Sequence, residues 1–132
     1  MTLPITAAFA ASLLAIMQVI LMLGVGLKRG SSGISLGDGG DEDLMRRIRR
    51  HGNFIENAPM VLILLSLLEM LGGAQSVVLG LAVLFIVTRI SHAIALSSAT
   101  SPTAFRAVGA FGTLISLVGG AGVLAWQVSA MM

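Results

Sequence analysis

Four long apolar runs alternate with three shorter stretches where glycine, proline and polar residues return. The first run covers residues 3 to 27 and is interrupted only by Thr6, Ser12 and Gln18. A helix rises ~1.5 Å per residue, so a run of this length crosses a hydrocarbon core of ~30 Å. The second predicted helix covers about residues 41–71. Its first three turns are charged, and its apolar part begins near Phe54. Pro59 lies inside that part, removes one backbone hydrogen bond and predicts a bend just past Glu56. The third helix, about 77–96, is apolar until Arg89. The fourth, about 102–129, carries Gly109, Gly112, Gly119, Gly120 and Gly122, small residues that let helix backbones approach closely. Trp126 near its end suits an interfacial anchor. The pattern predicts an all-α membrane protein, a four-transmembrane-helix bundle forming one domain over residues 1–132.

The connections fit that division. Gly30 to Asp43 holds five glycines and three serines, which marks a flexible loop. It lacks the phosphate-loop pattern, and its acids resemble a calcium loop only loosely. Asp41 is a suitable N-cap, with Glu42 and Asp43 at the positive end of the helix dipole. Gly72 to Ser76 reads as a turn. In the last connection Ser101 can cap the fourth helix, with Pro102 at its first position.

Composition sharpens the picture. Apolar residues make up 56% of the 132 residues and charged ones 11%, which excludes an ordinary soluble globule. A net charge of +2 on so apolar a chain does not suggest nucleic acid, and none is expected as a partner. With no cysteine there is no disulfide or thiolate ligand, and two histidines without metal-ligand spacing predict no metal site. Lys28 and Arg29 follow the first apolar run instead of preceding it, so it reads as a span, not a cleaved signal peptide. The basic residues of the first connection, with Arg106 after the third helix, put both on the cytoplasmic side of a bacterial-type inner membrane.

The candidate chemistry gathers at that side. Arg49, Asn53 and Glu56 are spaced i, i+4, i+7 and share one helical stripe of cation, amide and carboxylate. A charge drawn into a bilayer costs roughly 2.5–3.5 kcal/mol on insertion scales, so it has a partner or a task. For Glu56 both a salt bridge to an arginine and direct ligand contact stay open. Arg46, Arg47 and Arg50 read as a solvated face meeting anionic headgroups. Arg89 and His92 are an i, i+3 pair, and pairing of Arg89 with Glu56 is the economical account of that arginine. Gln18 is expected to face a neighbouring helix, and Glu69 to reach the opposite interface. A cluster of arginine forks at one depth suits an anion bearing carboxylates.

Arg49-x-His51-x-Asn53-x-x-Glu56-x-x-Pro59 resembles the signature of the MAPEG proteins, membrane-associated proteins in eicosanoid and glutathione metabolism. Arg89-Ile90-Ser91-His92 is similar to a segment of the family's prostaglandin E synthase branch, and Arg106 falls within one residue of a recurring arginine there. The resemblance covers nearly the whole chain and is nearest to bacterial members. It implies a homotrimer with glutathione between subunits near the cytosolic face. Arg49, Asn53 and Glu56 would contact glutathione, with His51 close by and His92 beside Arg89. Arg89 would hold a carboxylate or Glu56. Arg106 would stabilise the glutathione thiolate for attack on a lipophilic electrophile, in a transferase- or peroxidase-type reaction. Family members commonly set tyrosines against glutathione. This chain has none, and those positions correspond to Asn57, His92 and Leu96, which leaves another thiol or a lipid headgroup as alternative anions. A non-catalytic scaffold or lipid- and anion-binding trimer of the same fold is the alternative function. A small multidrug exporter is disfavoured, because the first helix carries no acid.

Overall fold

A computed structural model of the chain describes residues 2–97, 100 and 102–132. Four helices follow in order: α1 (Ile5–Ser32), α2 (Glu42–Met70), α3 (Gln75–Ala95) and α4 (Thr103–Ser129). All four are long and apolar enough to cross a membrane. The protein is an integral, multi-pass membrane protein. α2 and α3 touch one another, and α1 and α4 each pack against both without meeting.

Most large side chains point outward, among them Phe9, Ile16, Ile20, Phe111, Ile115 and Val118. The polar residues of the spans go the other way: Glu69, Thr88, Arg89, Ser91, Thr113 and Ser116 are buried. Water is absent from the bilayer core, so burying apolar surface brings no hydrophobic gain between helices. Close packing and hydrogen bonds hold the bundle instead. The buried hydroxyls all find acceptors, Ser91 across the α3–α4 seam and Thr88 and Ser116 within their own helices. Thr88 donates to the Phe85 carbonyl at 2.8 Å, Ser116 to Gly112 at 2.8 Å and Ser91 to Phe105 at 3.2 Å.

The α3–α4 seam is the tightest. A Cβ on Gly112 would lie 1.9 Å from Thr88 Cγ2, and one on Gly109 would lie 2.6 Å from His92 Cβ. Only glycine lets α4 come this close. By contrast, a Cβ on Gly122 would meet nothing within 4 Å.

Three helix ends depart from the sequence reading. α1 runs to Ser32, five residues past the expected end at 27, because Ser31 and Ser32 both donate back to the Lys28 carbonyl and Gly33 closes the helix at φ 67°. α3 begins at Gln75 instead of 77. Pro102 occupies the N-cap of α4 rather than its first turn, and the Ser101 cap lies outside the described residues. Asp41 caps α2 as expected: its Oδ1 accepts from the amides of Asp43 and Leu44 at 2.9 and 3.0 Å. α2 is continuous through Pro59, which faces outward.

Glu69 departs further. Instead of reaching an interface it is buried, and its two carboxylate oxygens accept from the amides of Thr6 and Ala7, both at 2.9 Å. The first amides of a helix have no partner within it and carry partial positive charge, so a carboxylate suits them. Thr2 donates to the Glu69 carbonyl, and Gln75 donates to Thr6 Oγ1. One side chain thereby ties the start of α1 to the end of α2. Gln18, expected against a neighbouring helix, is exposed on α1.

The first connection is held by ion pairs. Lys28 Nζ lies 2.8 Å from Asp41, and Asp43 takes Arg47 Nε at 3.0 Å. Arg29 donates to the carbonyls of Ile34 and Gly37.

Two measurements check this account. Gly112→Ala is expected to lower stability by about 1–3 kcal/mol through overpacking, read as a drop in melting temperature that Gly122→Ala does not show. The hydrogen bond from Lys28 holds the Asp41 carboxyl below the usual aspartate range, helped by the amides of Leu44 and Asp43. A depressed carboxyl adds stability above its unfolded value and loses it as pH falls through the folded one. Amide exchange protection at Asp43 and Leu44 should therefore persist at neutral pH and disappear only below about pH 4.

Candidate functional site

Asn53 of α2, Arg89 and His92 of α3, and Gly109 and Thr113 of α4 lie at one depth. Arg89 joins them. Its guanidinium donates to the Asn53 carbonyl at 3.3 Å, to the Gly109 carbonyl at 2.8 Å and to Thr113 Oγ1, while Thr113 donates in turn to Gly109 at 2.7 Å. The ring of Phe85 lies 5.4 Å from its Cζ, a cation–π distance. One buried cation therefore links three helices through carbonyl dipoles.

The expected Arg89–Glu56 pair does not form within the chain. Glu56 is exposed on the outer face of α2 and takes part in no ion pair among the described residues. The reason lies in α4. With glycine at 109 and 112 its backbone comes in close enough for the Arg89 Nη2 to reach the Gly109 carbonyl and Thr113 Oγ1, while Nε is left buried without an acceptor. Thr113 was missed from the sequence; its only signal is a hydroxyl one turn beyond Gly109 on the small-residue face.

The outward side of this joint is a groove of about 250 Å³ between α2 and α4. Asn53, Asn57, Arg89, His92, Thr113 and Leu117 contribute to its lining. Of the stripe Arg49, Asn53 and Glu56, the half-buried Asn53 lines the groove, and Arg49 and Glu56, one turn to either side, are exposed. Asn53 and Asn57 each donate back one turn, to the carbonyls of Arg49 and Asn53, both at 2.9 Å. Arg106 is exposed in the first turn of α4. It precedes Ala110, Thr113, Leu114 and Leu117 of the lining at spacings of four, seven, eight and eleven, and so extends their face. His92 stands within electrostatic reach of both Arg89 and Arg106. His51 is half-buried, and its Nε2 has no partner. Arg49, Asn53, Glu56, Arg89, His92 and Arg106 thus share one side of the subunit, although Glu56 and Arg106 do not touch Arg89.

Residues 7–126 match the sequence model of the MAPEG family. The chain belongs to the MAPEG family. No curated protein and no solved structure matches it. MAPEG membership sets it among glutathione-related membrane enzymes in general. Glutathione carries two carboxylates, an ammonium and a thiol; the groove itself offers Arg89, His92, Asn53 and Asn57, and the helices that form it carry exposed guanidinium groups at 49 and 106 and an exposed carboxylate at 56. Its volume within one chain falls below the ~300–1,000 Å³ usual for a small-molecule site. The residue types around the groove suit such a ligand, and the groove within one chain is small for it.

If Arg89 is held by Asn53, Gly109 and Thr113, Arg89→Ala should cost about 2–3 kcal/mol in thermal stability. Glu56→Gln should add to it independently, within about 0.3–0.5 kcal/mol in a double-mutant cycle; a coupling above ~1 kcal/mol would mean the two side chains meet after all.

Proposed function

We propose that the protein is a glutathione-dependent membrane enzyme of the transferase or peroxidase type, acting on a lipophilic electrophile at the groove between α2 and α4. The observation that carries this is the groove lined by Asn53, Arg89 and His92, on helices that also carry Arg49, Glu56 and Arg106 exposed. Arg49 would take a glutathione carboxylate and Glu56 the ammonium, with Asn53 and Asn57 bonding the peptide groups. His51 and His92 would line the same site. Arg89, tied into its own carbonyls, orients Asn53 and the α4 backbone. A second copy of the chain, in a homotrimer, would close the open side.

Arg106 would supply the chemistry. A thiol of pKa ~8.5 is mostly protonated at neutral pH, and an adjacent guanidinium favours the thiolate, the nucleophilic form. The thiolate would attack the electrophilic carbon of a substrate that arrives through the bilayer, forming a thioether as the leaving group departs or the adduct takes up a proton. Alternatively it would attack a peroxide oxygen, breaking the O–O bond to release an alcohol and a glutathione sulfenic acid, which a second glutathione reduces to the disulfide and water. The membrane would be a bacterial inner membrane, with the groove opening toward the cytoplasm.

One observation favours a non-catalytic anion- or lipid-binding trimer instead. The most buried cation, Arg89, spends both of its terminal nitrogens on acceptors of its own chain and so ties the helices together without any ligand. Adding glutathione to the purified protein separates the two. The enzyme should raise the ultraviolet thiolate absorbance, and Arg106→Ala should abolish the rise and lower conjugation turnover by about 10²-fold. If wild type and variant leave the thiol equally protonated, the scaffold stands.

A further inference from the structure

On the opposite side of the subunit, α1 and α3 leave a groove of about 520 Å³ that is apolar along its length. Leu13, Met17 and Ile20 line it from α1, and Ile86, Ile90 and Ala93 from α3. Its one charged lining residue is Arg50, donated by α2. Between Leu13 and Leu21 the groove follows eight residues of α1, ~12 Å of helix, close to half of a ~30 Å hydrocarbon core. It is therefore about one leaflet deep.

The four arginines at the start of α2 differ in their surroundings. Arg46 pairs with Glu42 and Asp43, and Arg47 with Asp43 and the Gly24 carbonyl. Arg49 is exposed toward the other groove. Arg50 alone of the four is half-buried with no hydrogen bond or ion pair among the described residues; its Nε, like that of Arg46, is shut off without an acceptor. Gly24 makes room for it: a Cβ there would lie 3.7 Å from Arg47 Nη1 and 3.8 Å from Arg50 Nη2. Two guanidinium groups thus flank Gly24, and the nearby acids Asp41 and Asp43 are already taken by Lys28, Arg46 and Arg47. An anion is what this corner lacks. A half-buried guanidinium without a bonded partner is unfavourable, and a phosphate fits its fork with parallel hydrogen bonds.

We propose that the α1–α3 groove is a binding site for an anionic phospholipid of the arginine-side leaflet, its acyl chain along Leu13 to Leu21 and its phosphate on Arg50. Charge complementarity at the headgroup end sets the choice of occupant. The same seam continues past Leu13 and Ile86 into a hollow of about 250 Å³ lined by Phe9, Leu79 and Val83, with no charged residue. Lipid there has no headgroup partner, so selection is confined to the Arg50 half. The site owes nothing to the proposed thiol chemistry and stands or falls apart from it.

Native mass spectrometry in neutral detergent tests it, with phosphatidylglycerol and phosphatidylcholine of identical chains offered as competitors. Wild type should retain the anionic lipid with a roughly tenfold preference. Arg50→Gln should remove the preference, and Arg46→Gln should keep it. Ile90→Trp fills the exposed floor of the groove and should reduce retention of both lipids while the oligomeric state stays unchanged. Soluble glycerol phosphate, which has the headgroup charge but no chains, should not displace the lipid. Wild type without a preference, or Arg50→Gln with the preference intact, overturns the proposal. So does Ile90→Trp if it breaks the oligomer, since the groove is then a seam between copies. Should Arg50→Gln fail to fold, the wild-type competition and Ile90→Trp decide.

Discussion

A guanidinium inside a membrane has to be matched by something, and in this protein the match is made by backbone. Arg89 holds the carbonyls of Asn53 and Gly109 and the hydroxyl of Thr113. Those acceptors belong to α2 and α4, so the cation on α3 binds its neighbours on both sides. Carbonyl dipoles cost no second buried charge. A carboxylate partner would have added its own desolvation penalty, several kcal/mol in a low-dielectric interior. The arrangement requires that α4 come close, and the glycines at 109 and 112 allow it. Packing and electrostatics here are one constraint: without the glycines the acceptors would stand out of reach.

The other end of the bundle uses the same economy with the sign reversed. Glu69 is buried against the first amides of α1. A carboxylate is matched by helix-end N–H groups, as a guanidinium is matched by carbonyls at the arginine side. α1 makes no contact with α4 and depends on α2 and α3 alone. Glu69 fastens its start, and the pairs of Lys28 and Arg47 fasten its end. Between these two ends α1 is free to leave a groove against α3.

The polar residues are thereby sorted by face. Those that hold the subunit together are satisfied within it. Those left open, Arg49, Glu56 and Arg106 beside one groove and Arg50 beside the other, are the ones available to ligands, lipid or another copy. Arg50, Phe54, Arg89 and His92 together line the narrow wall between the two grooves.

Hydropathy determined the four spans, because in a bilayer only a helix satisfies its own backbone, and twenty apolar residues leave no other choice. The Asp41 cap was legible too, since a cap is a contact between near neighbours. So was the shared depth of Asn53 and Arg89, which follows from helix rise and chain direction, and the motif Arg49-x-His51-x-Asn53-x-x-Glu56 pointed to the family. Partners across helices were not legible. Sequence offered opposite charges, so Arg89 was matched with Glu56 and Glu69 was sent to the interface. Only the tertiary structure could award Arg89 to Gly109 and Thr113 and Glu69 to the amides of Thr6 and Ala7, because backbone carbonyls and amides are the same at every residue. Which of them lies within reach is decided by how closely the helices pack.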